Sequence, residues 1–206
     1  MLGVYNYTVI LTYIGMISGF TGITLVVQGD IHKALICLIV SGICDMFDGK
    51  IASTRKRTAC EKRYGVQIDS LSDLICFGVL PAVMVSSICR NSIAGYCTCS
   101  LYVLSSLIRL AWFNVDEEER QSNCSGQRQY YLGLPVTLAA VFVPLAFWTL
   151  EYFGLPYSRL LPAVLAVLSI AFLTPFKIRK PSLSRLGIAI CGGAGVLLLI
   201  MSGMDV

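Results

Sequence analysis

Between Asp45 and Asp73 the chain reads DMFDGKIASTRKRTACEKRYGVQIDSLSD, and the four aspartates in it could act on one substrate together. Asp45 and Asp48 close one very apolar segment, Asp69 and Asp73 open the next, and a short basic connection lies between them. If both flanking segments are helices, the i,i+3 spacing of the first pair and the i,i+4 spacing of the second put each pair on a single helical face. Acids inside a membrane span are costly, so they face a bundle interior where they pair, relay protons or bind ions. No Lys or Arg stands at helical spacing on these faces, which points to metal as the counter-charge. Carboxylate oxygens suit Mg²⁺ or Mn²⁺, and two close divalent ions can neutralise a pyrophosphate while it is cleaved.

The elements that must position these acids are membrane helices. Of 206 residues, 56% are hydrophobic and 14% charged, against about 25% charged in an average soluble domain. A span needs about 20 mostly apolar residues, and by that measure seven segments stand out, at 5–27, 31–52, 68–89, 93–115, 132–153, 159–176 and 186–203. The expectation is an all-α, polytopic bundle of about seven transmembrane helices (six to eight), forming one membrane domain over 1–206. Segment one is too long to be read as a removable signal peptide, and it lacks a basic start and a small-residue cleavage site. The connection 53–67 is too polar to span, and the linker 116–131 is the most soluble stretch, its DEEER expected as a solvated turn. Pro144 is expected to kink segment five, and segment six is interrupted by Pro162 and Pro175.

Placing the connections after segments two, four and six in the cytoplasm gathers there all of the 16 Lys and Arg except Lys33, Arg90 and Arg159. The positive-inside rule then sets the N-terminus inside and the four aspartates at the cytoplasmic face of the cell membrane. The nine cysteines show no CxxC pairing and read as small buried apolar residues without a disulfide framework.

The acidic stretch resembles the CDP-alcohol phosphotransferase family. Its pattern, D-x-x-D-G-x-x-A-R and then G-x-x-x-D-x-x-x-D, is matched by Asp45, Asp48, Gly49, Ala52, Gly65, Asp69 and Asp73. Ser53 stands where the pattern has Arg, and eleven residues separate Ser53 from Gly65, three more than the family shows; Arg55 or Lys56 is the expected substitute cation. QIDSLSDLICFGVLPA, RLAWFNV and YLGLPVTLAA follow in the order shown by the integral-membrane phosphatidylserine synthase branch, to which this chain is similar.

What the resemblance implies is the family's fold and transfer of a phosphatidyl group from CDP-diacylglycerol to the L-serine hydroxyl, with release of CMP. It implies Asp45, Asp48 and Asp69 as ligands of Mg²⁺ or Mn²⁺, two ions per site, with Asp73 joining them or acting as base. Gly49, Ala52, Gly65, Thr12 and Arg55 are the implied CDP-lipid contacts, and a homodimer is the implied assembly. Serine also carries a carboxylate, which Arg109 could bind from segment four; Asn114 is a second polar candidate, and a snorkelling Arg109 that reaches lipid headgroups is the alternative.

Two other functions stay open. Another acceptor, such as glycerol 3-phosphate, inositol phosphate or a different small alcohol, would want two or more cations beside the site, and Arg109 is the intramembrane cation there. A divalent-cation transporter could use the same acids, although transporters often show internal repeats with binding residues near the midplane. Elsewhere, His32 reads as a surface residue on the far side, Trp112 and Trp148 as interfacial anchors, and Gly192, Gly193 and Gly195 as a close-packing patch. No feature points to nucleic acid.

Overall fold

The structure is a computed structural model whose described residues are 3–89, 92–123 and 130–179. Helix α1 (Tyr7–Gln28) begins where Asn6 leaves extended backbone and accepts the Thr8 N–H on its side-chain oxygen at 3.2 Å. It ends at Gly29, whose φ of 94° suits a residue without Cβ, and the Gly29 and Asp30 N–H groups close the carbonyls of Val26 and Leu25. Only Gly29 and Asp30 separate α1 from α2 (Ile31–Ser53), so the two lie antiparallel as neighbours. The buried stripe of α1 is Thr8, Thr12, Gly15, Gly19, Gly22 and Val26, and its small residues admit close backbone approach. A Cβ at Gly19 would lie 3.2 Å from the Cα of Cys76, and one at Gly22 3.0 Å from Cys37 Cβ.

The next three elements make one rod, Ala59–Ile88: α3 (Ala59–Asp73), a π-helical stretch Leu74–Val79, and α4 (Leu80–Ile88). Thr58 starts it with a reciprocal cap, its hydroxyl accepting the Glu61 N–H at 3.2 Å while Glu61 accepts the Thr58 N–H at 2.8 Å. Pro81 has no N–H to offer the carbonyl of Phe77, four residues before it. The hydroxyl of the fully buried Tyr102 donates to that carbonyl at 2.7 Å.

Tyr102 belongs to α5 (Ile93–Asn123), followed by strand β1 (Tyr130–Leu132), a 3₁₀ turn Val136–Leu138, α6 (Ala139–Tyr152), α7 (Tyr157–Leu173) and strand β2 (Lys177–Arg179). β1 and β2 pair antiparallel with Tyr130 opposite Arg179. The core joins α2, the rod, α5, α6 and α7 through Leu38, Phe77, Met84, Tyr102, Val143, Leu161 and Phe172. Ile17, Phe20, Leu101, Val167 and Ile170 face outward, as expected of helices solvated by lipid.

Among the described residues, three helical stretches are long and apolar enough to cross a membrane: Tyr7–Gln28, Ala59–Ile88 and Ile93–Glu119. Helix α2 has the length but carries Lys33, Asp45, Asp48 and Lys50, and α7 is shorter at 17 residues. The architecture is helical as expected, apart from the three-residue strand pair, and the described residues bear out three of the expected spans by length and composition. Segment seven and its glycines Gly192, Gly193 and Gly195 lie outside the described residues.

Several boundaries moved. The polar connection is five residues, 54–58, because α3 starts at Ala59 with an amphipathic turn that apolar content alone does not reveal. Likewise α5 continues past Val115, so DEEER is helical rather than a solvated turn; charged residues extend a helix readily once it is nucleated. Leu132 lies in a strand, and segment five becomes helical only from Val136. Helix α7 runs through Pro162 and stops at Thr174 before Pro175, as the residue before a proline tends to. His32 is tied down: its Nε2 lies 3.2 Å from Glu151 Oε1, joining the start of α2 to the end of α6.

Candidate active site

The last turns of α2 and the middle of the rod bring the acids together. One carboxylate oxygen each from Asp45, Asp48 and Asp69 lies within 4.8 Å of the others. Asp73, one turn further along α3, stands outside that trio but lines the same pocket. Asp48 and Asp73 are buried, and Asp45 and Asp69 are half-buried. Among the described residues no Lys, Arg or His forms an ion pair with any of the four. Three converging carboxylates repel one another unless a cation sits between them. A hard, all-oxygen donor set of this kind fits a divalent cation.

Helix α1 closes the pocket. Thr12 Oγ1 donates to Asp48 Oδ2 at 3.0 Å, which fixes that carboxylate's rotation. Thr12 in turn offers its carbonyl to Ser72 Oγ at 3.4 Å, and Gly15 offers its own to Ser41 Oγ at 2.9 Å and Cys76 Sγ at 3.3 Å. Ser41, Cys44, Ser72, Cys76 and Phe77 also line the pocket, and none of them is among the site residues expected from the sequence. The signal was available: Ser41 is four residues before Asp45, Ser72 three after Asp69 and Cys76 three after Asp73, each on an acid-bearing face.

The remaining sequence candidates fall around this centre. Gly49 is exposed, and a Cβ there would meet nothing within 4 Å, so α2 leaves open space beside Asp48. Ala52 is half-buried one turn later. Gly65 precedes Asp69 by one turn, and a Cβ on it would come 3.2 Å from Arg57 Nη1. Arg55 is exposed and lies 3.7 Å from Glu61 Oε1, away from the pocket wall. Glu61 also accepts from Asn6 Nδ2 at 3.1 Å, so the basic connection, α3 and the start of α1 are tied at one point.

Arg109 is buried, 7% exposed, with Nε donating to the Leu134 carbonyl at 3.3 Å and the guanidinium 5.8 Å from the centre of the Phe113 ring. It is not on the pocket wall. Helix α5 meets α3 nearer the acids through Ser70 Oγ, which donates to Asn114 Oδ1 at 2.9 Å.

Known proteins are similar to this chain in sequence. The yeast Saccharomyces cerevisiae CDP-diacylglycerol–serine O-phosphatidyltransferase is 35% identical over 142 residues, 63% of this chain and 50% of that protein. The archaetidylserine synthase of Methanothermobacter thermautotrophicus is 30% identical over 160 residues, covering 75% and 63%. The Bacillus subtilis CDP-diacylglycerol–serine O-phosphatidyltransferase is 25% identical over 183 residues, covering 87% and 93%. The chain thus spans about half to two thirds of the length of the first two relatives and most of the third. No solved structure matches it. The CDP-alcohol phosphatidyltransferase family profile matches residues 5–176, which hold all four aspartates, α1 and Arg109; the chain belongs to the CDP-alcohol phosphatidyltransferase family.

Proposed function

We propose that this protein transfers the phosphatidyl group of CDP-diacylglycerol to the hydroxyl of L-serine, giving phosphatidylserine and CMP. The observation that carries this reading is the division of the acids into a converging trio, Asp45, Asp48 and Asp69, and a separate Asp73 on the same pocket. Relatives named for the serine reaction support the choice of acceptor. When bound, one or two Mg²⁺ or Mn²⁺ ions held by the trio would neutralise the pyrophosphate and the departing CMP.

Asp73 takes the proton of the acceptor hydroxyl as its oxygen bonds to the lipid-side phosphorus. The bond from that phosphorus to the CMP oxygen breaks, and CMP leaves with the electron pair. Thr12, Gly49, Ala52 and Gly65 flank the CDP-lipid, with a cation from the 54–58 connection. Arg109 is the acceptor-side cation, suited to serine's carboxylate. The same reading makes the protein a multi-pass membrane enzyme and a homodimer, with the pocket at the cytoplasmic face where the basic connection lies.

A transfer assay on purified, detergent-solubilised protein tests this, with labelled CDP-diacylglycerol, Mn²⁺ or Mg²⁺, and separately serine, glycerol 3-phosphate and inositol phosphate. Serine-dependent phosphatidylserine and CMP are expected, falling at least 100-fold in Asp73→Asn, as for loss of a general base. Turnover with another acceptor alone would replace serine. No turnover with any acceptor, together with Mn²⁺ flux into protein-containing vesicles, would favour a transporter.

A further inference from the structure

The anion that the proposed reaction cleaves is suited to a side-chain cation beside the acids as well as to metal, and the 54–58 connection offers three. Arg55 is engaged with Glu61 at 3.7 Å, and Lys56 is exposed. Arg57 differs from both, because it is half-buried and its side chain folds back along α3 until Nη1 would lie 3.2 Å from a Cβ at Gly65. Gly65, Asp69 and Asp73 are spaced i, i+4 and i+8 on one face of α3. The guanidinium therefore sits on the acid-bearing face, one turn, or about 6 Å of helix rise, before Asp69. On α2, Gly49 borders open space beside Asp48. Among the described residues no hydrogen bond or ion pair occupies Arg57. A planar fork of donors with no protein acceptor, beside a glycine that makes room for it, is suited to a phosphate.

We propose that Arg57, rather than Arg55, grips the pyrophosphate of the CDP-lipid, and that the absent side chain at Gly65 is what admits its guanidinium. This rests on the CDP-lipid reading above. The recognised chemistry is a phosphate group, which could belong to the substrate's pyrophosphate or to a neighbouring phospholipid headgroup, and we assign it to the substrate.

The experiment is calorimetric titration of soluble CDP, in the presence of Mg²⁺, into the purified full chain in neutral detergent, with and without added phosphatidylglycerol. Wild type is compared with Arg57→Gln, Arg57→Lys, Arg55→Gln, Gly65→Ala, the Arg57→Gln/Gly65→Ala double variant, and Lys62→Gln as an exposed control. Loss of a charge-assisted contact predicts CDP binding weakened about tenfold or more in Arg57→Gln. Arg57→Lys should recover part of it, and Lys62→Gln should bind as wild type does. An alanine methyl at position 65 meets only the far end of a flexible side chain, so Gly65→Ala should fold normally yet bind CDP more weakly. The Gly65→Ala change should add nothing on top of Arg57→Gln.

Unchanged CDP affinity in Arg57→Gln, or additive effects in the double variant, would overturn the proposal. So would a loss in Arg55→Gln in place of Arg57→Gln, or a loss seen only with phosphatidylglycerol, which would assign Arg57 to headgroups. A wild type that neither binds CDP nor turns over CDP-diacylglycerol would instead overturn the reading on which the proposal rests. Wild-type turnover with an indifferent Arg57 overturns this proposal alone.

Discussion

At the scale of single residues, the site depends on how each carboxylate is turned, and Thr12 sets one of them. Its hydroxyl donates to one oxygen of Asp48 at 3.0 Å from the neighbouring helix. Partners that orient a metal ligand typically change affinity by about 10–100-fold when removed. Thr12→Val keeps the shape and deletes the donor, so Mn²⁺ binding followed by electron paramagnetic resonance should weaken about tenfold, with Thr12→Ser close to wild type. Equal binding by all three proteins would show that the hydroxyl does not orient a ligand. The same scale separates the two arginines near the rim. Arg55 and Arg57 are two positions apart, but Arg55 pairs with Glu61, whereas Arg57 reaches one turn further along α3, to Gly65.

At the scale of elements, the rod carries the site, and its continuity is unusual just beyond Asp73. The π-helical stretch Leu74–Val79 puts an extra residue into the helix where Cys76 and Phe77 line the pocket, and Pro81 just beyond it removes a backbone donor. Tyr102 supplies a donor to the Phe77 carbonyl from α5, so one hydroxyl ties the rod to its neighbour. Tyr102→Phe retains the ring contact with Phe172, 5.6 Å between centroids, and removes only that donor. A buried carbonyl deprived of its partner costs about 1–3 kcal/mol, so thermal unfolding in detergent should show a loss of that order. A variant as stable as wild type would mean the carbonyl is satisfied without Tyr102.

At the scale of the whole molecule, the chain has polar and apolar ends arranged for one orientation. The 54–58 connection and the start of α3 carry Arg55, Lys56, Arg57, Lys62 and Arg63 at the end of α2 that follows Asp45 and Asp48, while His32 and Glu151 meet at its other end. If the basic end faces the cytoplasm, the exposed thiol of Cys60 in the first turn of α3 faces it too. In intact cells a membrane-impermeant maleimide should leave Cys60 unmodified, and permeabilising the membrane should expose it, as read by peptide mass spectrometry at that residue. Labelling of Cys60 in intact cells would invert the orientation and put the pocket outside.

Much of the site is legible in the sequence because helical periodicity alone puts Asp45 with Asp48 and Asp69 with Asp73, and because acids in apolar segments need a reason to be there. Composition alone also specifies a helical membrane protein, since lipid demands that backbone hydrogen bonds be closed within each span. Three things depend on tertiary packing. The convergence of the two pairs requires α2 and the rod to meet, which follows from contacts remote in sequence. The contribution of α1, through Thr12, Gly15 and Gly19, arises because small residues let its backbone close on Cys76 and the acids. The choice of Arg57 over Arg55 arises because Glu61, capping α3 and held by Asn6, takes Arg55 first. A one-dimensional pattern states which residues can share a helical face; which faces meet is a property of the packed molecule.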